Sequence, residues 1–256
     1  MFNQTHHSQT FRQVPLSYRP VSAARIQELL EIERAKFSKL APGSGSENNR
    51  AGKVTPLGVA SSFQYWEPYP ISIVSAKGAW MKDVDGRDML DLSMGFGALL
   101  VGHLNEEVVK EAKETLEVGT LFATPSPITR DGAEVIARRF GLDMVRFANS
   151  GTEATMYAIR TARAATGKLG IVKIEGGYHG SYDPLMVSNK PDVDLAGSAE
   201  DPTPIPLPAV VAGEVHVVPY NNADAIERVF KAHADSIACL IMEPVLENIG
   251  IVVPDM

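Results

Sequence analysis

The spacing of apolar residues changes along this chain, and each spacing predicts a different element. Over residues 22–40, Ile26, Leu29, Leu30, Phe37 and Leu40 form a broken stripe at helical spacing, with Ser22 placed to cap its start. Ala41-Pro42-Gly43 predicts the end of that helix, and the polar, Gly-rich SGSENNRAGK (44–53) reads as a loop or linker. Residues 71–92 switch to short alternating runs with turn signals at Ala76-Lys77-Gly78 and Asp85-Gly86, which predicts a small antiparallel sheet. Asn105 ahead of Glu106 and Glu107 predicts a capped helix to about residue 117, and residues 131–140 read as another.

Beyond residue 143 the pattern becomes a repeat of kinds. Strands are expected at 144–148, 170–175, 214–218 and 237–242, with helices at 152–166 and 223–233 between them. Strands separated by helices predict an α/β layer with a mostly parallel sheet and helices on both faces. The long stretch 190–213 contains DPTPIPLP and is expected to be a loop, since proline cannot donate to a central ladder.

Composition narrows the function classes. With 256 residues and 45% apolar content, the chain is expected to build a real core. Acidic residues outnumber basic ones 31 to 24, for a net charge of −7, so no basic field is available for nucleic acid. No stretch approaches the length of a membrane span, and MFNQTHHSQTFRQVPLSYRP lacks a secretory apolar region; residues 1–21 read as a flexible arm and the protein as cytoplasmic. His6-His7 in that arm reads as surface, so no metal is expected. The single cysteine, Cys239, sits in an apolar run and reads as a buried, inert thiol of a reducing compartment.

Three expected strand ends carry the candidate chemistry. The first feeds its helix through Asn149-Ser150-Gly151-Thr152, so free N–H groups and the positive end of the helix dipole face outward beside a glycine and a hydroxyl, which suits phosphate. A plain helix cap is the alternative. The Walker pattern fails at Gly167-Lys168-Leu169, the dinucleotide spacing fails at Gly95-Phe96-Gly97, and a nucleophile elbow fails because Ala148 and Thr152 stand where glycines are needed. The second strand ends in Gly176-Gly177-Tyr178-His179-Gly180, where Tyr178 can stack on a flat ring; a structural role is the alternative. The last ends at Glu243, a carboxylate that needs a partner on leaving an apolar strand.

In order and spacing, DVDGRDMLDL (83–92), GH (102–103), VRFANSGTEATMYAIRTARAATGK (145–168), GGYHGSYD (176–183), VPYNN (218–222) and EPVLENIGIVVPD (243–255) resemble the amino-terminal part of the class III, fold-type I enzymes that use pyridoxal 5'-phosphate (PLP). The branch holding glutamate-1-semialdehyde aminomutase and related aminotransferases is the most similar. The resemblance implies an N-terminal arm and helix (1–55), part of a small α+β domain (56–130) and the first half of the PLP-binding large domain (131–256). It implies that Ser150, Gly151 and Thr152 hold the phosphate, that Tyr178 lies against the pyridine ring with His179 close by, that Glu243 orients the Asp bonded to the ring nitrogen, and that Asn248 reaches the ring hydroxyl. Thr124 and Ser126 would line the neighbouring subunit's site in a homodimer.

The implied reaction moves an amino group from an amino-acid donor to a keto acid, ketone or aldehyde; an aminomutase, a non-catalytic truncated scaffold and a sugar- or nucleotide-phosphate module are the alternatives. Two departures bear on this. The family's Schiff-base Lys and pyridine-contacting Asp fall after Glu243, so both are expected beyond Met256 and the chain alone is expected to be inactive. The family's carboxylate-gripping Arg is replaced near TPLGVASS (55–62), where Gly58, Ser61 and Ser62 stand. SMGFGALLVGH (93–103) also resembles aminotransferases of polyketide and lipopeptide assembly.

Overall fold

A computed structural model describes residues 21–190 and 215–255. The arm at 1–20 and most of the proline-rich stretch lie outside the described residues. The chain divides into two compact units, Met1–Ala123 and Thr124–Met256, taken in turn below.

In the first unit, α1 (Ala23–Leu40) starts where Ser22 Oγ accepts from the Arg25 amide at 3.2 Å. The chain does break at Ala41, but 44–53 is not the expected loop: α2 runs Pro42–Ala51. Pro42 supplies a preset φ at the first helical position. The missing cap comes from Asp85, whose carboxylate accepts from the Gly43 amide at 2.7 Å and the Ser44 amide at 3.2 Å. A helix start held from a turn far along the chain is invisible to local reading. That turn belongs to the expected antiparallel sheet, β1 (Ile73–Lys77), β2 (Trp80–Asp83) and β3 (Asp88–Leu90), in which Lys77 pairs with Trp80 and Met81 with Met89. Asp83 Oδ1 accepts from the Asp85 and Arg87 amides, closing the second turn. α3 (Glu106–Val118) is capped as expected by Asn105, which accepts from the Val108 amide at 3.2 Å.

The second unit opens with α4 (Pro127–Phe140), which begins at proline, ahead of the expected residue 131, and ends at Gly141 in the left-handed conformation. Residues 144–148 form no strand, contrary to expectation. A strand exists only through its ladder, and among the described residues no strand pairs with this segment. Met144 is 88% exposed, and the Arg146 guanidinium lies 5.5 Å from the Tyr157 ring centroid.

Next come α5 (Gly151–Thr166), β4 (Gly170–Ile174), the short α6 (Asp183–Met186), β5 (Val215–Val218), α7 (Ala223–His233) and β6 (Ile237–Ile241). The three strands are parallel in the order β5-β4-β6, and every residue of β4 is buried. Alternation of side chains across the sheet gives each helix a face. Ile171 packs with Ile159 of α5, Cys239 and Ile241, whereas Val172 and Ile174 pack with Ile226, Val229 and Phe230 of α7. Helices therefore cover opposite faces, the α/β architecture expected. Cys239 is half-buried rather than fully buried; burial raises its thiol pKa, so it stays protonated and unreactive. Among the described residues no helix is long and apolar enough to cross a membrane, and no cluster of three or more His, Cys, Asp or Glu could hold a metal.

Candidate functional site

α5 begins with a cap that uses only part of its donor set. Ser150 is extended, its Oγ accepts from the Glu153 amide at 3.1 Å, and its carbonyl accepts the first helical bond from Ala154. Glu153 accepts from the Asn149 amide at 2.7 Å and from the Tyr157 hydroxyl at 3.0 Å. Those two donors, the amide first, hold its carboxyl below the usual range. Ser150 is thus a plain cap as well as a candidate ligand. The Gly151 and Thr152 amides remain, as helix geometry requires of a first turn, without acceptors among the described residues. A Cβ placed on Gly151 would meet nothing within 4 Å. Donors, dipole and open space coincide there.

The loop after β4 is clamped onto that turn. A Cβ on Gly180, whose φ is +88°, would lie 2.4 Å from Thr152 Oγ1 and 2.6 Å from Thr152 Cα, so only glycine permits the approach. Thr152 Oγ1 accepts from the Ser181 amide at 3.0 Å, leaving its own hydrogen to donate, and Thr155 Oγ1 donates to the His179 carbonyl at 2.8 Å. Tyr178 is 48% exposed while its neighbours on both sides are buried. His179 is buried and its Nε2 has no hydrogen-bond partner among the described residues. Burial, and then the Lys173 charge, push the His179 pKa down, so the ring is neutral near pH 7.

Glu243 joins the third strand end to this loop. Its Oε1 accepts from the Tyr178 amide at 2.6 Å and its Oε2 from the Glu247 amide at 2.8 Å. Asn248 Nδ2 donates to the Gly176 and Asn189 carbonyls, at 2.8 and 2.7 Å, so its amide hydrogens tie the loops together and its Oδ1 is the polar atom left over. Gly151, Thr152, Tyr178, His179, Glu243 and Asn248 are therefore linked through consecutive contacts. Ser126 carries the first turn of α4 through its backbone carbonyl, and Thr124 is exposed just before it.

Sequence reasoning passed over Lys173. It is fully buried on the α5 face of β4, with Nζ donating to the Gly177 carbonyl at 3.1 Å and the Val187 carbonyl at 2.5 Å. The signal was available: one charge in the centre of GIVKI, a run otherwise fit for the middle of a parallel sheet.

These residues suit a phosphorylated aromatic ligand. Among the described residues, two amides without acceptors and a hydroxyl donor stand at an open helix end, and an exposed aromatic ring stands on the adjoining loop.

Comparison with known proteins places the chain. The family model described as "Aminotransferase class-III" matches residues 63–256. Glutamate-1-semialdehyde 2,1-aminomutase of Thermoplasma volcanium is 40% identical over 205 residues, covering 80% of this chain and 48% of that protein. An omega-transaminase from Sphaerobacter thermophilus superposes with a TM-score of 0.77 at 33% identity, over 83% of this chain and 49% of that one. A transaminase solved with PLP bound superposes with a TM-score of 0.78 at 33% identity, over 84% and 50%. The chain spans about half the length of the curated relatives it matches. Its parallel sheet is the corresponding part of the fold-type I transaminase fold. With the match running over more than half of its residues, the chain belongs to the class-III aminotransferase family.

Proposed function

We propose that this chain carries the phosphate-binding and ring-stacking half of a PLP-dependent aminotransferase site. The observation that carries the reading is the open first turn of α5, whose Gly151 and Thr152 amides have no acceptor among the described residues, clamped through Gly180 to the loop that displays Tyr178. The phosphate would be held by those amides, the Thr152 hydroxyl and the Ser150 hydroxyl, with the helix dipole adding to the attraction. Tyr178 would stack on the ring, with His179, kept neutral by burial, close by. When bound, PLP supplies an electron sink for the carbanion left when an amino donor loses its α-proton. The chain's own part is to bind, orient and shield that ring.

In this reading the amino group passes from an amino-acid donor to a keto acid, ketone or aldehyde. The protein works as a cytoplasmic homodimer in which Thr124 and Ser126 line the neighbour's site. Intramolecular amino transfer is a second reading, favoured by the aminomutase relatives at 36–44% identity. Turnover without any added amino donor separates the two. The binding reading is tested by titrating PLP and pyridoxal against the chain: saturable PLP binding at least tenfold tighter than pyridoxal is expected, and equal affinities refute a phosphate site at Gly151.

A further inference from the structure

Lys173 presents a buried charge that neither phosphate binding nor ring stacking uses. Burial pushes its pKa down to about 8, while the carboxylates of Glu243 and then Glu175 act in the opposite direction. The titratable groups facing it are the carboxylates of Glu243 beyond β6 and Glu175 at the end of β4, and the neutral imidazole of His179 in the loop. An ammonium taken from water costs several kcal/mol unless its hydrogens and charge are matched. Here they are matched by groups that shape the site.

The Gly177 carbonyl it binds immediately precedes Tyr178. The Val187 carbonyl it binds precedes Ser188, whose own carbonyl accepts from the Gly176 amide at 2.7 Å, and Asn189, whose carbonyl accepts from Asn248. Glu243, drawn by the same charge, grips the Tyr178 and Glu247 amides. One ammonium therefore reaches the loop bearing Tyr178, the 187–189 segment and, through Glu243, the 243–248 segment.

A depressed lysine beside a cofactor site is otherwise the profile of a nucleophile. The geometry argues against it: two of the three N–H groups are spent on carbonyls inside a fully buried position. Resting on the PLP reading above, we propose that Lys173 is a positioning residue, a latch from β4 that fixes the Tyr178 loop against the cofactor ring, and that it forms no covalent link to the cofactor.

The test compares the chain with Lys173→Met, which keeps the unbranched apolar stem and removes the charge and donors. Hydrogen exchange should quicken at least tenfold in peptides covering 176–181 and 243–248 and stay unchanged in α7. PLP affinity should fall at least tenfold while the preference for PLP over pyridoxal persists, because the Gly151 turn is untouched. A folded Lys173→Met chain with unchanged loop exchange overturns the latch, as does a borohydride-fixed PLP adduct mapped to Lys173 in the wild type. If the wild type binds no PLP, the functional reading fails and the exchange result still decides the latch. If Lys173→Met does not fold, Lys173→Gln, which keeps a donor but removes the charge and the reach to both carbonyls, is read by the same exchange measurement, and unchanged exchange at 176–181 overturns the proposal.

Discussion

Alanine at Gly180 and alanine at Gly151 should act in opposite ways on stability and binding. At Gly180 a new Cβ would stand 2.4 Å from Thr152 Oγ1, 2.6 Å from its Cα and 2.9 Å from its Cβ, at a φ of +88°. Left-handed backbone costs a non-glycine residue about 1–2 kcal/mol, and forcing apart a packed contact costs about 1–3 kcal/mol. The backbone of α5 cannot rotate away as a side-chain tip would, so the loop must lift, straining the Ser181–Thr152 and Thr155–His179 hydrogen bonds. A loss of about 2–5 kcal/mol is expected, which at ordinary urea sensitivity lowers the unfolding midpoint by roughly 1 M or more. At Gly151 the new Cβ meets nothing within 4 Å and φ is not left-handed, so stability should stay within about 0.5 kcal/mol. The methyl group does occupy the space assigned to the phosphate. Losing one charge-assisted bond there, about 1.5–3 kcal/mol, weakens PLP binding roughly 10- to 100-fold. Urea melts and PLP titrations on both variants decide the matter. A Gly151→Ala chain that binds PLP like the wild type sinks the phosphate placement, and an unshifted midpoint for Gly180→Ala sinks the clamp.

Three further outcomes are expected. Glu243→Ala leaves the Tyr178 and Glu247 amides without their acceptor; thermal melting should show a loss of about 2–4 kcal/mol, with Glu243→Gln losing less. Gly58 sits at φ +71° with its Cβ position 2.3 Å from Asn48 Nδ2 and 2.7 Å from the Asn48 carbonyl, so an arginine placed there should cost roughly 5 °C or more in Tm. The Asp91 pKa is lowered chiefly by its 2.7 Å bond to His103, and also by the Met94 and Ser93 amides. A carboxylate whose folded pKa lies below its unfolded value adds stability that is present above the unfolded pKa and lost as pH falls through the folded one. Urea midpoints measured in acid should therefore fall below about pH 4 in the wild type and less steeply in Asp91→Asn, and parallel acid profiles would contradict the assignment.

The elements legible in the sequence were those whose signals are local. Ser22 and Asn105 cap the helices they precede, and alternation in 71–92 produced the meander with its glycine turns. The parallel strands were legible as apolar runs because a sheet covered on both faces needs apolar residues on both. What failed depended on distant partners. α2 looked like a linker because its composition is that of one; its helix start is capped by Asp85, and Gly45 is pressed so close to the Tyr69 ring that a Cβ would lie 2.8 Å from Tyr69 Cζ. The segment at 144–148 failed for the converse reason. Its residues are those of a strand, but a ladder needs a neighbour, and none pairs with it among the described residues.

The site divides along the same line. Ser150, Gly151 and Thr152 were readable from one turn because a helix start carries its free donors with it. The mutual placement of Tyr178, Glu243 and Asn248 was readable only as three strand ends arriving at one edge; the bonds that join them are made between loops. Lys173 shows what a reader of single motifs misses. A lone charge inside a buried strand has to be satisfied, and in a parallel sheet the carbonyls able to satisfy it belong to the loops leaving the strand ends, because the strands' own carbonyls are spent on the ladder. Those loops are where ligands gather in α/β folds. A buried lysine in a central strand is therefore a pointer to the site from behind, and here it points at the carbonyl next to Tyr178.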